Sequence, residues 1–172
     1  MPIIVFRHGD DNDTKNESKK YDKNLSSKGK EEIIKKITIA SKLYDPPLQI
    51  YTSPFVRCKE SALISLNIYN KLISIEIKGE LSKYIYEVSN SIDLERHFSN
   101  NTLKYIKDPF ENKFEVMDRL SRFFDSISND KIIYVFTHSF AIKLLKNLYS
   151  QKKKLRNKTI SYNKRGDFFI LS

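Results

Sequence analysis

The sequence predicts an α/β protein: a three-layer α/β/α arrangement with a mostly parallel central sheet, in one domain spanning residues 1–172. Three observations carry this expectation. Two continuous β-branched and aromatic runs, residues 3–6 and 132–136, read as strands buried on both faces. Segments with a helical period alternate with further strand-like runs, the order of a parallel sheet with crossover helices. No repeat or linker interrupts a chain of one-domain length, enough to bury roughly 70% of its unfolded surface.

The elements follow in order. After the first strand, residues 10–24 are polar without an apolar period and read as a loop. Residues 27–43 carry Ile33, Ile34, Ile37, Ala40 and Leu43 at helical spacing, and Asp45-Pro46-Pro47 stops that helix. Residues 48–52 are a second strand. Ser53 is placed as an N-cap and Pro54 in the first turn of a helix running to about residue 71, its apolar face Ala62, Leu63, Leu66 and Ile68. Residues 73–77 are strand-like, and 80–109 read as mixed loop and short helix. Residues 114–127 have a helical period through Met117, Leu120, Phe123, Phe124 and Ile127. The strand at 132–136 leads into a helix over 141–149 with a basic tail at 151–158. The chain closes with a hairpin, 159–162 and 168–171, turning around 163–166.

Composition sets outer limits. Hydrophobic residues at 40% and charged residues at 30% describe a globular chain. The net charge of +10, from 31 Lys plus Arg against 21 Asp plus Glu, favours anionic partners. The richness in Lys, Asn, Ile, Tyr and Phe gives that charge a simpler source, an AT-rich coding sequence, and nucleic acid is not the expected partner. The single cysteine, Cys58, excludes an intrachain disulfide and fits a reducing, cytoplasmic setting. No apolar run approaches the roughly 20 residues of a membrane span.

Chemistry is expected where strands end, because open α/β sheets bind ligands at the carboxyl ends of their strands. Two of the three histidines stand there: His8 just past the first strand, beside Arg7, and His138 just past the strand at 132–136. Arg57 falls in the first turn of the helix after the second strand, on the same rim. His97 sits in a charged helical stretch and reads as surface. Cys58 reads as a buried or partly buried thiol, and Lys152 to Arg156 as a solvated basic face.

These residues carry a resemblance. Arg7-His8-Gly9-Asp10 after a strand resembles the opening motif of the histidine phosphatase superfamily, which includes the phosphoglycerate mutases. The next family segment, Asp-x-Pro-Leu-Thr-x-x-Gly, is matched by Asp22, Leu25 and Gly29, with Ser26 for Thr and Asn24 for Pro. A strand followed by Ser53-Pro54, Arg57 and Ser61-Ala62 is similar to the third motif. Phe136-Thr137-His138 is similar to the last.

The resemblance implies a phosphoglycerate mutase-like fold and a metal-free phosphoryl transfer without cofactor. His8 would be the nucleophile that forms a phosphohistidine. Gly9 would let the backbone approach the phosphate. Arg7 and Arg57 would grip phosphoryl oxygens, and His138 would stabilise the charge on them. Many members place a proton-donating glutamate in a Leu-x-Glu setting; aligned on Leu81, that position here is Lys83. Glu80 and Glu87 flank it, and Glu87 is the expected acid. Departures from the mutases stand at Thr14, where an asparagine is usual, and at Ser139, where glycine is usual. The short 80–109 stretch leaves little material to enclose a phosphoglycerate. The expected activity is therefore a phosphatase acting on a phosphorylated small molecule or a phosphohistidine. A mutase, and a weakly catalytic phosphate- or nucleic-acid-binding protein of the same fold, are the alternatives.

Overall fold

The computed structural model describes residues 2–11, 23–70, 73–81, 113–127, 130–156, 160–162 and 168–171; of residues 113, 149–156 and 160–162 it describes the backbone alone. Along the chain run β1 (Ile3–Arg7), α1 (Ser27–Ser41), β2 (Gln49–Thr52), α2 (Val56–Tyr69), β3 (Ser74–Ile77), a 3-10 turn (Gly79–Leu81), α3 (Lys113–Ser126), β4 (Ile133–Thr137), α4 (Ser139–Arg156), β5 (Ile160–Tyr162) and β6 (Phe168–Leu171). The strands form one sheet in the order β3-β2-β4-β1-β6-β5. The first four run parallel, and β6 and β5 add an antiparallel edge. The predicted α/β class, the mostly parallel sheet and the terminal hairpin strands are all present.

The continuous apolar runs have the predicted cause. In β1, Ile3 and Val5 enter one core, while Ile4 and Phe6 enter the other. Strand β4 divides the same way, with Ile133 and Val135 facing one layer and Tyr134 and Phe136 the opposite one. The first layer is α3 and α4, through Leu120, Phe124, Ala141 and Leu145. The second is α1 and α2, through Ile33, Ile37, Cys58 and Ala62. Phe6 stacks on Phe136 across the strand pair at 5.1 Å between centroids, and Tyr69 meets Tyr134 hydroxyl to hydroxyl at 2.5 Å. Burial and that hydrogen bond push the Tyr134 phenol far above its ordinary range, so it stays neutral.

Helix α1 starts where Ser26, in extended backbone, accepts a hydrogen bond from Gly29 N at 3.0 Å. Helix α2 departs from expectation at both its start and its buried face. It begins at Val56 with Phe55 in the N-cap position and no side-chain cap. Ser53 lies outside the helix because its backbone N–H is held by Phe136 O at 3.0 Å, extending the sheet ladder. Leu63 is exposed; the fully buried positions are small residues, Cys58, Ser61, Ala62 and Ser65, while the expected Leu66 and Ile68 pack partly buried against the same core. The helix ends at Asn70, whose φ of 47° is the left-handed conformation common at helix ends.

Ser65 Oγ is buried without a hydrogen-bond partner among the described residues. A buried hydroxyl in that state carries an uncompensated desolvation cost. Ser65→Ala is therefore expected to raise stability by about 1 kcal/mol. A urea midpoint that rises at an unchanged m-value checks it, and a fall contradicts it.

Candidate active site

Helices α1 and α2 cover one face of the sheet and α3 and α4 the other, so the chain leaves adjacent strands β1 and β4 toward opposite faces. That is a topological switch point, where a crevice opens beyond the strand ends. The ladder runs a step past the strands on this rim: His8 N–H donates to Thr137 O at 3.1 Å and Lys78 N–H to Thr52 O at 2.8 Å. His8, His138 and Ser53 are thus the first residues beyond three neighbouring strands.

His8 is buried, 6% exposed. Its Nδ1 donates to the carbonyl of Gly9 at 2.7 Å, which leaves Nε2 without a proton. Arg57 Nε donates to that Nε2 at 3.2 Å. Burial first, then the Arg57 charge, lowers the His8 pKa to about 4; Arg7 adds to the lowering, while the Gly9 hydrogen bond and Asp11 oppose it. Near neutral pH, His8 is a neutral imidazole with a lone pair directed into the crevice. The same Arg57 Nε lies 3.3 Å from Asp11 Oδ2, so one guanidinium nitrogen serves the imidazole and the carboxylate together. The guanidinium also lies over the Phe55 ring, 4.8 Å from its centroid.

His138 is 2% exposed, with its ring 5.2 Å from that of His8. Its Nε2 shares a 2.9 Å hydrogen bond with Ser53 Oγ and lies 3.6 Å from Cys58 Sγ. Its Nδ1 points to Arg57 Nη2 at 3.5 Å. Phe55 packs edge-on against the imidazole at 4.8 Å, closing that side to solvent. A hydroxyl can donate or accept, so Ser53 satisfies Nε2 in either tautomer of His138.

The loop bearing His8 is fixed by backbone contact with α1. A Cβ on Gly9 would overlap the carbonyl oxygen of Gly29, and a Cβ on Gly29 would overlap that of Asp10. Ser26 N–H and Oγ both donate to Asp10 O, at 2.9 and 3.1 Å, and Asp10 N–H donates to Glu32 at 3.1 Å. Glu60 on α2 holds the other flank, accepting from Leu25 N at 2.6 Å and Asn24 Nδ2 at 2.8 Å. Below the rim, Thr137 Oγ1 donates to Leu81 O at 2.6 Å and the buried Arg119 donates to Glu80 O. The 3-10 turn after β3 is pinned to β4 and α3.

Of the residues singled out in the sequence, His8, Arg57 and His138 are brought together. Arg7 ends β1 with its side chain exposed, and no partner contacts it among the described residues; its influence on His8 is through charge alone. Glu80 is exposed. Glu87, Thr14, Asp22, Lys83 and His97 lie outside the described residues. Three participants escaped sequence reasoning. Ser53 reads as a helix cap, although its place at the end of β2 was a signal. Phe55 carries no polar chemistry. Asp11 stands among the acids and amides of a polar loop, yet only three residues past His8. Among the described residues, no group of His, Cys, Asp or Glu is arranged to hold a metal ion. No described helix is long and apolar enough to cross a membrane.

A parallel sheet carrying two facing histidines and an arginine at its switch point defines an α/β protein of the phosphoglycerate mutase-like fold. The family is shown by sequence as well: the pattern of the histidine phosphatase superfamily (branch 1) matches residues 3–161, and the chain belongs to that superfamily. Solved structures resemble it over nearly their whole length. YhfR of Bacillus stearothermophilus is 18% identical, with a TM-score of 0.62, covering 97% of this chain and 93% of that one. The alpha-ribazole phosphatase of Shigella flexneri is 18% identical, with a TM-score of 0.60 and coverage of 100% and 95%. A mycobacterial glucosyl-3-phosphoglycerate phosphatase complexed with VO3 is 16% identical, with a TM-score of 0.58 and coverage of 99% and 97%. At these identities the likeness concerns the fold. No curated protein matches the chain at a significant level.

Proposed function

We propose that this protein is a metal-independent phosphatase that works through a phosphohistidine on His8, with a phosphorylated small molecule or a phosphohistidine as substrate. The observation that carries this reading is the state of His8: buried, neutral, its Nδ1 proton given to Gly9 and its Nε2 lone pair facing Arg57. A phosphoryl group entering the crevice draws the Arg57 fork onto its oxygens and uncovers Nε2 for in-line attack. Arg7 adds positive charge at the mouth. His138, held at Nε2 by Ser53, hydrogen-bonds a phosphoryl oxygen as charge accumulates there. Water then attacks the phosphohistidine and restores His8. The activities in the printed names of the relatives, alpha-ribazole phosphatase and glucosyl-3-phosphoglycerate phosphatase, support hydrolysis over phosphate relocation. So does the short 80–109 stretch, which leaves little chain to shut water out.

Purified protein given 4-nitrophenyl phosphate with excess chelator is expected to release nitrophenolate and to carry an acid-labile phosphate. Absence of both release and label defeats the proposal. Interconversion of 2- and 3-phosphoglycerate, primed by a bisphosphate and faster than hydrolysis, would assign a mutase instead.

The His8 ring also makes a pH prediction. The neutral form is the nucleophile, and its folded pKa of about 4 lies below the ordinary 6.5. Nucleophile competence is therefore complete above pH 6.5, persists through pH 5, and is lost as pH falls through about 4. NMR titration of the His8 ring checks this. A midpoint near 6.5 would show that burial and Arg57 do not act as described.

A further inference from the structure

The site contains a carboxylate that phosphate binding alone does not call for. Asp11 Oδ2 is 3.3 Å from Arg57 Nε, and that nitrogen is 3.2 Å from His8 Nε2. The Asp11 charge reaches His8, where it partly offsets the lowering of the His8 pKa by burial and Arg57. Its side chain is 27% exposed, open to water at the mouth of the crevice. Among the described residues, the neighbouring acids Asp10, Glu32 and Glu60 are committed elsewhere. Asp10 and Glu32 fasten the loop to α1, and Glu60 holds Leu25 and Asn24. A negative group beside an anion-gripping arginine opposes the binding of phosphate, and its presence is explained if it moves a proton.

We infer that Asp11 is the acid–base residue of this site: it protonates the leaving oxygen as His8 is phosphorylated, and deprotonates the water that attacks the phosphohistidine. The inference rests on the phosphohistidine reading given above. In the free protein Asp11 is paired with Arg57. An arriving phosphoryl group takes the guanidinium away and sets its own negative charge beside the carboxylate. Released from Arg57 at the mouth of the crevice, the Asp11 carboxyl is placed to pass a proton to the leaving oxygen. In the first step the P–Nε2 bond forms and the P–O bond to the leaving group breaks. The electron pair goes to the leaving oxygen, which takes the Asp11 proton. In the second step the water oxygen bonds to phosphorus and a water proton passes to the Asp11 carboxylate. The P–Nε2 bond then breaks with its pair returning to Nε2. One water is consumed, and inorganic phosphate and the alcohol are released.

The test compares wild type with Asp11→Asn by rapid quench, using radiolabelled 4-nitrophenyl phosphate, whose leaving group needs no proton, and a labelled alkyl phosphate, whose leaving group does. In the variant, phosphorylation of His8 by the alkyl ester is expected to slow about 10²–10³-fold, and by the nitrophenyl ester less than about 10-fold. Labelled phosphohistidine should accumulate as its breakdown slows about 10²-fold. Asp11→Glu, with the carboxylate kept, should recover much of the breakdown rate, and thermal midpoints establish that both variants fold. Equal losses on the two esters with normal breakdown would overturn the inference, as would faster turnover with tighter phosphate inhibition, the mark of a carboxylate that merely competes for Arg57. A Glu87→Gln variant that shows the leaving-group-selective loss while Asp11→Asn does not would also overturn it. Wild type that never becomes labelled would bring down the His8 reading itself, a result distinct from an Asp11→Asn variant that labels and cycles normally.

Discussion

His8→Ala is expected to release no nitrophenolate from 4-nitrophenyl phosphate beyond a trace, a loss of about 10⁴–10⁶-fold, and to take up no phosphate label. The size follows from the role. Without Nε2 no covalent intermediate forms, and the single difficult displacement by water returns. His138 does not stand in for it, since its Nε2 is engaged by Ser53 and its Nδ1 faces Arg57. The fold is expected to survive, because His8 sits at the end of β1 rather than in either core and Arg57 keeps Asp11 as a partner. Circular dichroism and a thermal midpoint within a few degrees of wild type would separate lost chemistry from lost structure. Retention of even a tenth of wild-type turnover would place the nucleophile elsewhere.

Arg57→Ala is expected to reduce kcat/KM by about 10³–10⁵-fold, the scale on which an arginine stabilises a transferring phosphoryl group. Two effects combine. The planar fork that grips phosphoryl oxygens is lost. The His8 pKa, which Arg57 holds down, also rises from about 4 toward 6.5, so the variant loses its nucleophile at a higher pH than wild type does. Arg57→Lys restores charge without the fork and should recover only part of the rate, while moving the acid limb back down. A pH–rate profile of both variants reads the two effects apart. An unshifted acid limb in Arg57→Ala would contradict the electrostatic coupling between these residues.

The parts of this molecule legible in the sequence are those where one physical demand dominates. Strands β1 and β4 are buried on both faces, so they spell continuous apolar runs at residues 3–6 and 132–136. His8, His138 and Arg57 were legible because each follows such a run, and strand ends in parallel sheets converge. Helix α2 was legible as a helix, and of its expected apolar face only Leu63 points the other way. Its inner face is Cys58, Ser61, Ala62 and Ser65, small residues that let it lie close to the sheet, while Leu63 points outward. Ser53 was read as a cap because Ser-Pro before a helical period ordinarily caps. Here the neighbouring strand takes its N–H and His138 its hydroxyl. Arg7, expected to grip phosphate, ends β1 with its side chain exposed, next to His8. Asp11 was hidden because its meaning depends on Arg57, forty-six positions later, and no local pattern encodes that meeting.

The strand order has a consequence during synthesis. β1 emerges early, but both of its partners come late: β4 at residues 133–137 and β6 at 168–171. At about 5–20 residues per second, the ribosome adds the chain between β1 and β4 in roughly 6–25 seconds. Through that interval Ile3, Ile4, Val5 and Phe6 have neither edge paired, and the face bearing Ile3 and Val5 still lacks α4, which makes a newly made chain adhesive to other strands. His8, at the end of that strand, meets Arg57 and His138 only when nearly everything else has arrived. Nascent fragments lacking residues 133–171 should therefore be both inactive and dependent on chaperones that shield extended apolar segments.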